Sequence, residues 1–263
     1  MNTKIFFFDI DGTLLDESGV SESTIKCLRL LKEKGHKIFI CTGRSRSMIP
    51  EELVQGLGFH GVVAGCGLYG EYLEEIRYNI ELSQQQVKNA IERLERHKTL
   101  YIFEGRECLY YNDTIEDGEE KPFIIQMVEK QMKGNLLKIG TFNGPIIANK
   151  FSSILYEADE KKFYQEFEDE YAVQIHSSKM AEFILKGHSK ATGIHKMCQI
   201  LGASVEDTVC FGDSVNDIEM LEHCQIGICM GNGSAIAKEH ADYVTGSIQE
   251  DGIYHACKHF DFL

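Results

Sequence analysis

The 263-residue sequence predicts an α/β fold, doubly wound around a mainly parallel sheet, with an α+β domain inserted into it. Three observations carry this expectation. Short apolar runs alternate with amphipathic helical stretches in the first third and again in the last third, and such β-α-β alternation gives a parallel sheet with right-handed crossovers. The middle third departs from that alternation. Each flank alone would leave sheet edges open, so the two flanks combine into one domain and the middle becomes an insert.

The elements follow in order. Ile5-Phe6-Phe7-Phe8, within a strand at 4–9, suits burial on both faces of a sheet. Gly12 then permits the sharp turn that stops it. A helix near 21–34 carries Ile25, Leu28, Leu30 and Leu31 on one face and ends at Gly35. Strand Lys37–Cys41, a helical stretch from Ser45 to about Leu57 and strand Gly61–Ala64 complete the first flank. The insert opens with a polar helix, Ser83–Lys98, followed by strand candidates at 99–104 and 107–111. The acidic cluster Glu116–Glu120 reads as a solvated loop. Further β-rich and helical pieces follow, among them Asp159–Tyr171 and Met180–Leu185. The second flank reads as helix 190–201, strand Thr208–Phe211, helix Asp217–Cys224, strand Ile226–Met230, helix 234–240 and a short strand Tyr243–Val244. The domains are thus 1–80 with 187–263, and 81–186.

Composition bounds the partners. With 43% hydrophobic and 26% charged residues the chain reads as soluble and globular, and no apolar run approaches the ~20 residues of a membrane span. The first residues show no export signal. Nine scattered cysteines, an odd count without Cys-x-x-Cys, suggest reduced thiols in a cytoplasmic protein. A net charge of −14 disfavours nucleic acid and anionic membrane, and it requires local cations to capture an anionic substrate. Oligomeric state is not legible.

Chemistry concentrates where strands end. Asp9 and Asp11, at i and i+2, lie on one side of the chain at the C-terminal end of the first strand, where open α/β sheets place their ligand crevices. Like charges so close repel unless a cation joins them, and a hard ion such as Mg²⁺ takes carboxylate and carbonyl oxygens. Thr42-Gly43-Arg44 follows the second strand and offers a hydroxyl and amides to an anion. Gly212-Asp213-Ser214-Val215-Asn216-Asp217 follows the strand at 208–211. Lys190 opens a helix, against the helix dipole, a cost that a nearby phosphate would offset. Each segment alone also reads as an ordinary turn or cap, and Lys190 alone as a surface lysine.

Together these segments resemble the haloacid dehalogenase superfamily, and within it the Cof-type phosphatases, whose large α/β cap is inserted between the second and third motifs. Asp9-Ile10-Asp11-Gly12-Thr13 matches the first motif, Thr42-Gly43-Arg44 the second, Lys190 the third and Gly212–Asp217 the fourth. Met230-Gly231-Asn232-Gly233, Lys238 and Ala241-Asp242-Tyr243-Val244 also follow the pattern. The resemblance implies a Rossmann-like core, a cap that sets substrate choice, and Mg²⁺-dependent hydrolysis of small phosphorylated metabolites through an aspartyl-phosphate. It implies Asp9 as nucleophile and Asp11 as acid and base. It further implies Mg²⁺ on Asp9, the Asp11 backbone carbonyl and Asp213, and phosphate on Thr42, Gly43, Lys190 and Asn216. Asp217 would orient Lys190, Asn232 would give support nearby, and Arg44 and Arg46 are lesser candidates. An aspartate suits the attack because it is ionised at neutral pH.

Two positions depart from the pattern: Cys66-Gly67 stands where Asn-Gly is usual, and Ala191 where glycine follows the lysine. A sugar phosphomutase and a non-catalytic phosphate- or partner-binding module are the competing readings. His255-x-Cys257-x-His259 lacks a third convergent ligand for a metal, and Gly231-Asn232-Gly233-Ser234 lacks the ending of a phosphate-binding P-loop and reads as a turn.

Overall fold

A computed structural model describes residues 3–112, 135–155, 159–176 and 180–263; the acidic cluster at 116–120 lies outside them. The chain divides into two compact units. Met1–Gly43, Pro50–Tyr78 and His188–Leu263 form the first, and Arg44–Ile49 with Asn79–Gly187 form the second. The first unit begins with strands β1 (Ile5–Phe8), β2 (Lys37–Cys41), β3 (Gly61–Ala64), β4 (Tyr69–Tyr72) and β5 (Glu75–Asn79). The second contributes β6 (Leu100–Glu104), β7 (Leu109–Tyr111), β8 (Leu136–Lys138), β9 (Lys150–Ile154), β10 (Tyr171–Ile175) and β11 (Met180–Leu185). The chain then returns to the first unit for β12 (Thr208–Gly212), β13 (Ile226–Cys229) and β14 (Tyr243–Val244).

The sheet of the first unit runs β14-β13-β12-β1-β2-β3-β4-β5. β1 sits between β12 and β2 and is parallel to both. β3 adds in parallel to β2, while β13 and β14 extend the other side in parallel. The strand order therefore reverses at β1, the kind of switch point where α/β sheets open a ligand crevice at their carboxyl ends. β1 is buried throughout. Ile5 and Phe7 join Phe39, Val63, Ile194 and Met197 on one face. Phe6 meets Phe262 edge-on at 5.1 Å, and Phe8 stacks on Phe211 at 5.0 Å. A strand apolar at every position is what burial on both faces demands.

Two elements differ from the sequence expectation. The stretch from Ser45 to Leu57 is not one helix: a 3-10 turn at Arg46–Met48 and a short helix at Glu51–Val54 flank Pro50, whose ψ is 135°. Proline has no N–H to donate and drives the residue before it out of the helical region, and Ile49 accordingly sits at φ −98°, ψ 114°. The β4–β5 hairpin, antiparallel to β3 through β4, was not expected. Its turn residues Leu73 and Glu74 lie at φ +52° and +63°, without the Asn or Gly that would announce such a turn.

The second unit holds a separate sheet, β10-β11-β9-β6-β7-β8, antiparallel except between β7 and β8. Its core joins Val87, Ala90 and Leu94 of helix Gln84–Arg96 to Phe103, Phe151 and Phe183 of the sheet. That helix starts at Ser83, which shares a capping box with Gln86. The helical stretch from Asp159 stops at Gln165, and Tyr171 opens β10 instead.

Candidate active site

The site gathers at the carboxyl ends of β1 and β12. The Asp9 amide donates to Phe211 O at 3.0 Å, which carries the ladder one step past β1 and fixes Asp9 beside the loop that leaves β12. That loop is held by Asp217. One of its oxygens accepts the amides of Asp213 and Ser214, each at 2.9 Å, while the other accepts Lys190 Nζ at 2.6 Å. Lys190 Nζ also donates to Asp9 Oδ1 at 2.8 Å and to Asn216 Oδ1 at 3.2 Å. Lys190 begins helix Lys190–Leu201, where the Ser189–Thr192 capping box satisfies the first amides. A cation in a first turn opposes the dipole; here two carboxylates offset it.

Asp9, Asp213 and Asp217 each place a carboxylate oxygen within 4.8 Å of the others. When all are ionised, three negative charges face one ammonium, an excess of two. The electrostatics register this. Burial pushes the Asp9 carboxyl up to about 7, with Lys190 pulling it down and Asp217 pushing it further up. Burial and Asp217 raise Asp213 to about 6 against the Thr13 hydroxyl, which lowers it. Burial acts to lower the Lys190 pKa, but Asp217 and Asp9 outweigh it and hold the ammonium well above its usual range. An all-oxygen donor set with two surplus charges fits a hard divalent cation. Asp217 is already committed to Lys190 and two amides, so Asp9 and Asp213 are the carboxylates suited to hold the ion.

The other expected residues fall as follows. The Asp11 side chain is exposed and stands outside the three-carboxylate cluster; its backbone forms an isolated bridge with Leu15. Thr42 and Gly43 leave β2 at the same carboxyl edge of the sheet. Thr42 is buried, its amide donating to Val63 O and its carbonyl accepting the Cys66 amide. Arg44 and Arg46 belong to the second unit, where their guanidinium groups reach Met48 O and Ile49 O, both at 3.4 Å. Cys66 is buried at φ +54° between Gly65 and Gly67, both also at positive φ, a conformation that asparagine tolerates better than cysteine. A Cβ at Gly67 would lie 2.2 Å from Ser189 O, so this turn presses on the start of the Lys190 helix. Ala191 is buried there. The nine cysteines are all free thiols. His259 stacks on Tyr243 at 4.5 Å, a packing role.

Two contributors lie within the quoted motifs but were given no role of their own there. Thr13 Oγ1 donates to Asp213 Oδ1 at 3.1 Å. Ser214 Oγ donates to Asn216 Oδ1 at 2.7 Å and so orients that amide. Ser214 carried a signal, because Ser-x-x-Asp is a capping-box pattern and the box with Asp217 is present. Thr13 closes the first motif, but nothing local marked its partner, which lies 200 residues away.

A family model described as haloacid dehalogenase-like hydrolase matches residues 6–257. The chain is 29% identical to the candidate phosphatase YkrA of Bacillus subtilis (strain 168), over 100% of each chain. It is 25% identical to the 5-amino-6-(5-phospho-D-ribitylamino)uracil phosphatase YcsE of the same organism, over 99% of this chain and 96% of the other. A solved structure of a sugar phosphatase of haloacid dehalogenase subclass IIB superposes with a TM-score of 0.84 at 30% identity, over 99% of this chain and 100% of that one. Among the described residues no helix is long and apolar enough to cross a membrane.

Proposed function

The chain belongs to the haloacid dehalogenase-like hydrolases, with the subclass IIB (Cof-type) pairing of a core sheet and a separate cap sheet, and from that premise we propose that it is a Mg²⁺-dependent phosphatase of small phosphorylated metabolites, sugar phosphates or similar. One observation carries the reading: a buried lysine bridges the buried Asp9 and Asp217 beside a third, half-buried carboxylate, Asp213, at the switch point of the sheet. In this reading an Asp9 oxygen attacks phosphorus, the bond to the leaving oxygen breaks, and Asp11 gives that oxygen a proton. Asp11, now a carboxylate, takes a proton from water as the water oxygen attacks the aspartyl-phosphate. The Asp9–phosphorus linkage breaks and inorganic phosphate departs. Asp9, Asp213 and the Asp11 backbone carbonyl would hold Mg²⁺, which when bound supplies positive charge against the phosphoryl oxygens.

Thr42, the Gly43 amide, Lys190 and Asn216 take the phosphate oxygens. Asn216 Oδ1 is engaged by Lys190 and Ser214, which directs its NH₂ group to the phosphate. Asp217 fixes Lys190. Such positioning and charge neutralisation make up most of phosphoryl-transfer catalysis. Residues 1–80 and 187–263 act as the catalytic core, and 81–186 select the leaving group. The names of the relatives, a phosphoribitylaminouracil phosphatase and a sugar phosphatase, support phosphorylated metabolites as the substrate class.

The test is phosphate release across a panel of phosphorylated metabolites, with Mg²⁺ and with excess chelator, for the wild type and Asp9→Asn. Mg²⁺-dependent release lost in the variant is the expected result. Binding without product would point to a non-catalytic module, and transfer to a sugar without free phosphate to a mutase.

A further inference from the structure

The turn Gly231-Asn232-Gly233-Ser234 follows β13, and beyond the unspecified support that the resemblance implies for Asn232 it has no stated role, yet it touches both loops that carry the carboxylates. Asn232 Nδ2 donates to the Gly12 carbonyl at 2.7 Å, and Asn232 Oδ1 accepts the Ile248 amide at 3.2 Å. Ser234 N–H donates to the Asp213 carbonyl at 2.8 Å. The flanking glycines are dictated by close approach. A Cβ at Gly233 would lie 2.7 Å from Cys229 Sγ and 2.8 Å from Asp213 O, and one at Gly231 would lie 2.6 Å from the Ser247 nitrogen. The backbone is thus clamped between the Asp213 loop and residues 246–247, and Asn232 reaches across to Gly12.

The group it holds, the Gly12 carbonyl, lies one peptide beyond Asp11. Within that turn the Ile10 carbonyl accepts the amides of Thr13, Leu14 and Leu15, and the Gly12 amide donates to Leu15 O. Gly12 sits at φ +76°, where a Cβ would be 2.4 Å from Asp213 Oδ2. Its carbonyl is tied to Asn232. Asn232 is itself exposed, so it makes these bonds without filling a core. The carbonyl can only accept, so the tether requires a donor at position 232; an aspartate of equal shape offers none when ionised.

We infer that Asn232 is a positioning residue that fixes the Gly12–Thr13 peptide, one peptide beyond Asp11, and through Gly12 sets the Asp11 carboxyl group against the leaving oxygen. The inference rests on the phosphatase reading for what Asp11 does. Loss of the tether then harms esters in proportion to their need for proton donation. Steady-state kinetics of Asn232→Ala, Asn232→Asp and Asn232→Gln on an alkyl phosphate and on p-nitrophenyl phosphate provide the first readout. For Ala and Asp, kcat/KM on the alkyl ester should fall about 10–100-fold, the scale of a small misplacement. The loss on the p-nitrophenyl ester, a good leaving group, should stay within about threefold. Gln, which keeps the donor, should recover part of the loss.

Amide hydrogen exchange in the metal-free protein is the second readout. Exchange at residues 12–15 should quicken in the Ala and Asp variants while that of β1 stays unaltered. Equal losses on both esters, or unaltered exchange at 12–15, would overturn the inference. A wild type silent on both esters would instead bring down the phosphatase reading and the catalytic half of this one, while the exchange result would still decide the tether.

Discussion

Asp9, the nucleophile of the proposed reaction, is held in a conflict that a bound cation would relieve. It is buried beside Asp213 and Asp217, and its pKa stands near 7 rather than 3.8. A folded-state value above the unfolded one means that the metal-free fold binds the extra proton, so this residue's contribution to stability falls as pH rises from about 4 through about 7. Asp9→Asn removes that cost. In chelator at pH 8 the variant should therefore melt no lower than the wild type, and its kcat with Mg²⁺ should drop by about 10⁴ or more. Retention of a tenth of the activity would remove Asp9 from its role. The same protons compete with a metal. Mg²⁺ affinity measured by calorimetry should strengthen as pH rises through about 6 and about 7, where Asp213 and Asp9 ionise, with protons released on binding. A pH-independent affinity would place the ion elsewhere. The residues the structure brings together here were legible because the acids follow the ends of apolar runs and Lys190 opens a helix against its dipole. The role of Thr13 was not, because a threonine's choice of partner depends on a rotamer and on a loop distant in sequence.

Among the elements, the strands of the first unit were legible and its hairpin was not. β1, β2, β3, β12, β13 and β14 are short apolar runs bounded by polar turns, which local pattern alone reports. β4 and β5 lack that pattern: Glu75, Ile76 and Arg77 are all exposed, and the turn is made by Leu73 and Glu74. Non-glycine residues at positive φ cost of order 1 kcal/mol each, and the exposed Leu73 gains little burial in return. Leu73→Asn with Glu74→Gly, the residues this turn type favours, should raise the unfolding free energy by about 1–2 kcal/mol with activity unaltered. Denaturant unfolding checks it, and a loss of stability would mean that Leu73 packs in a way its exposure denies. By contrast, Phe8→Ala opens a hole in a strand buried on both faces and should cost about 3–5 kcal/mol in the same assay.

At the scale of the whole molecule, the second unit was the less legible of the two. Its sheet joins β6 to β9, so Tyr101 faces Ser153 across some fifty residues, and β7 pairs in parallel with β8. No local period encodes such pairings. The charge of −14, in contrast, is plain from composition and bears on every encounter with an anionic substrate. Its repulsion acts over the Debye length, about 30 Å at 0.01 M salt and about 8 Å at 0.15 M. In the proposed reaction the attraction for phosphate acts at contact, through a Lys190 that is only 1% exposed and therefore weakly screened. Added salt should thus remove more repulsion than attraction. With Mg²⁺ held saturating, kcat/KM for a phosphomonoester should rise severalfold as NaCl goes from about 0.01 M to about 0.15 M, mainly through KM. A fall over that range would mean that a basic surface patch steers the substrate in, and that the local cations of the site do not act alone.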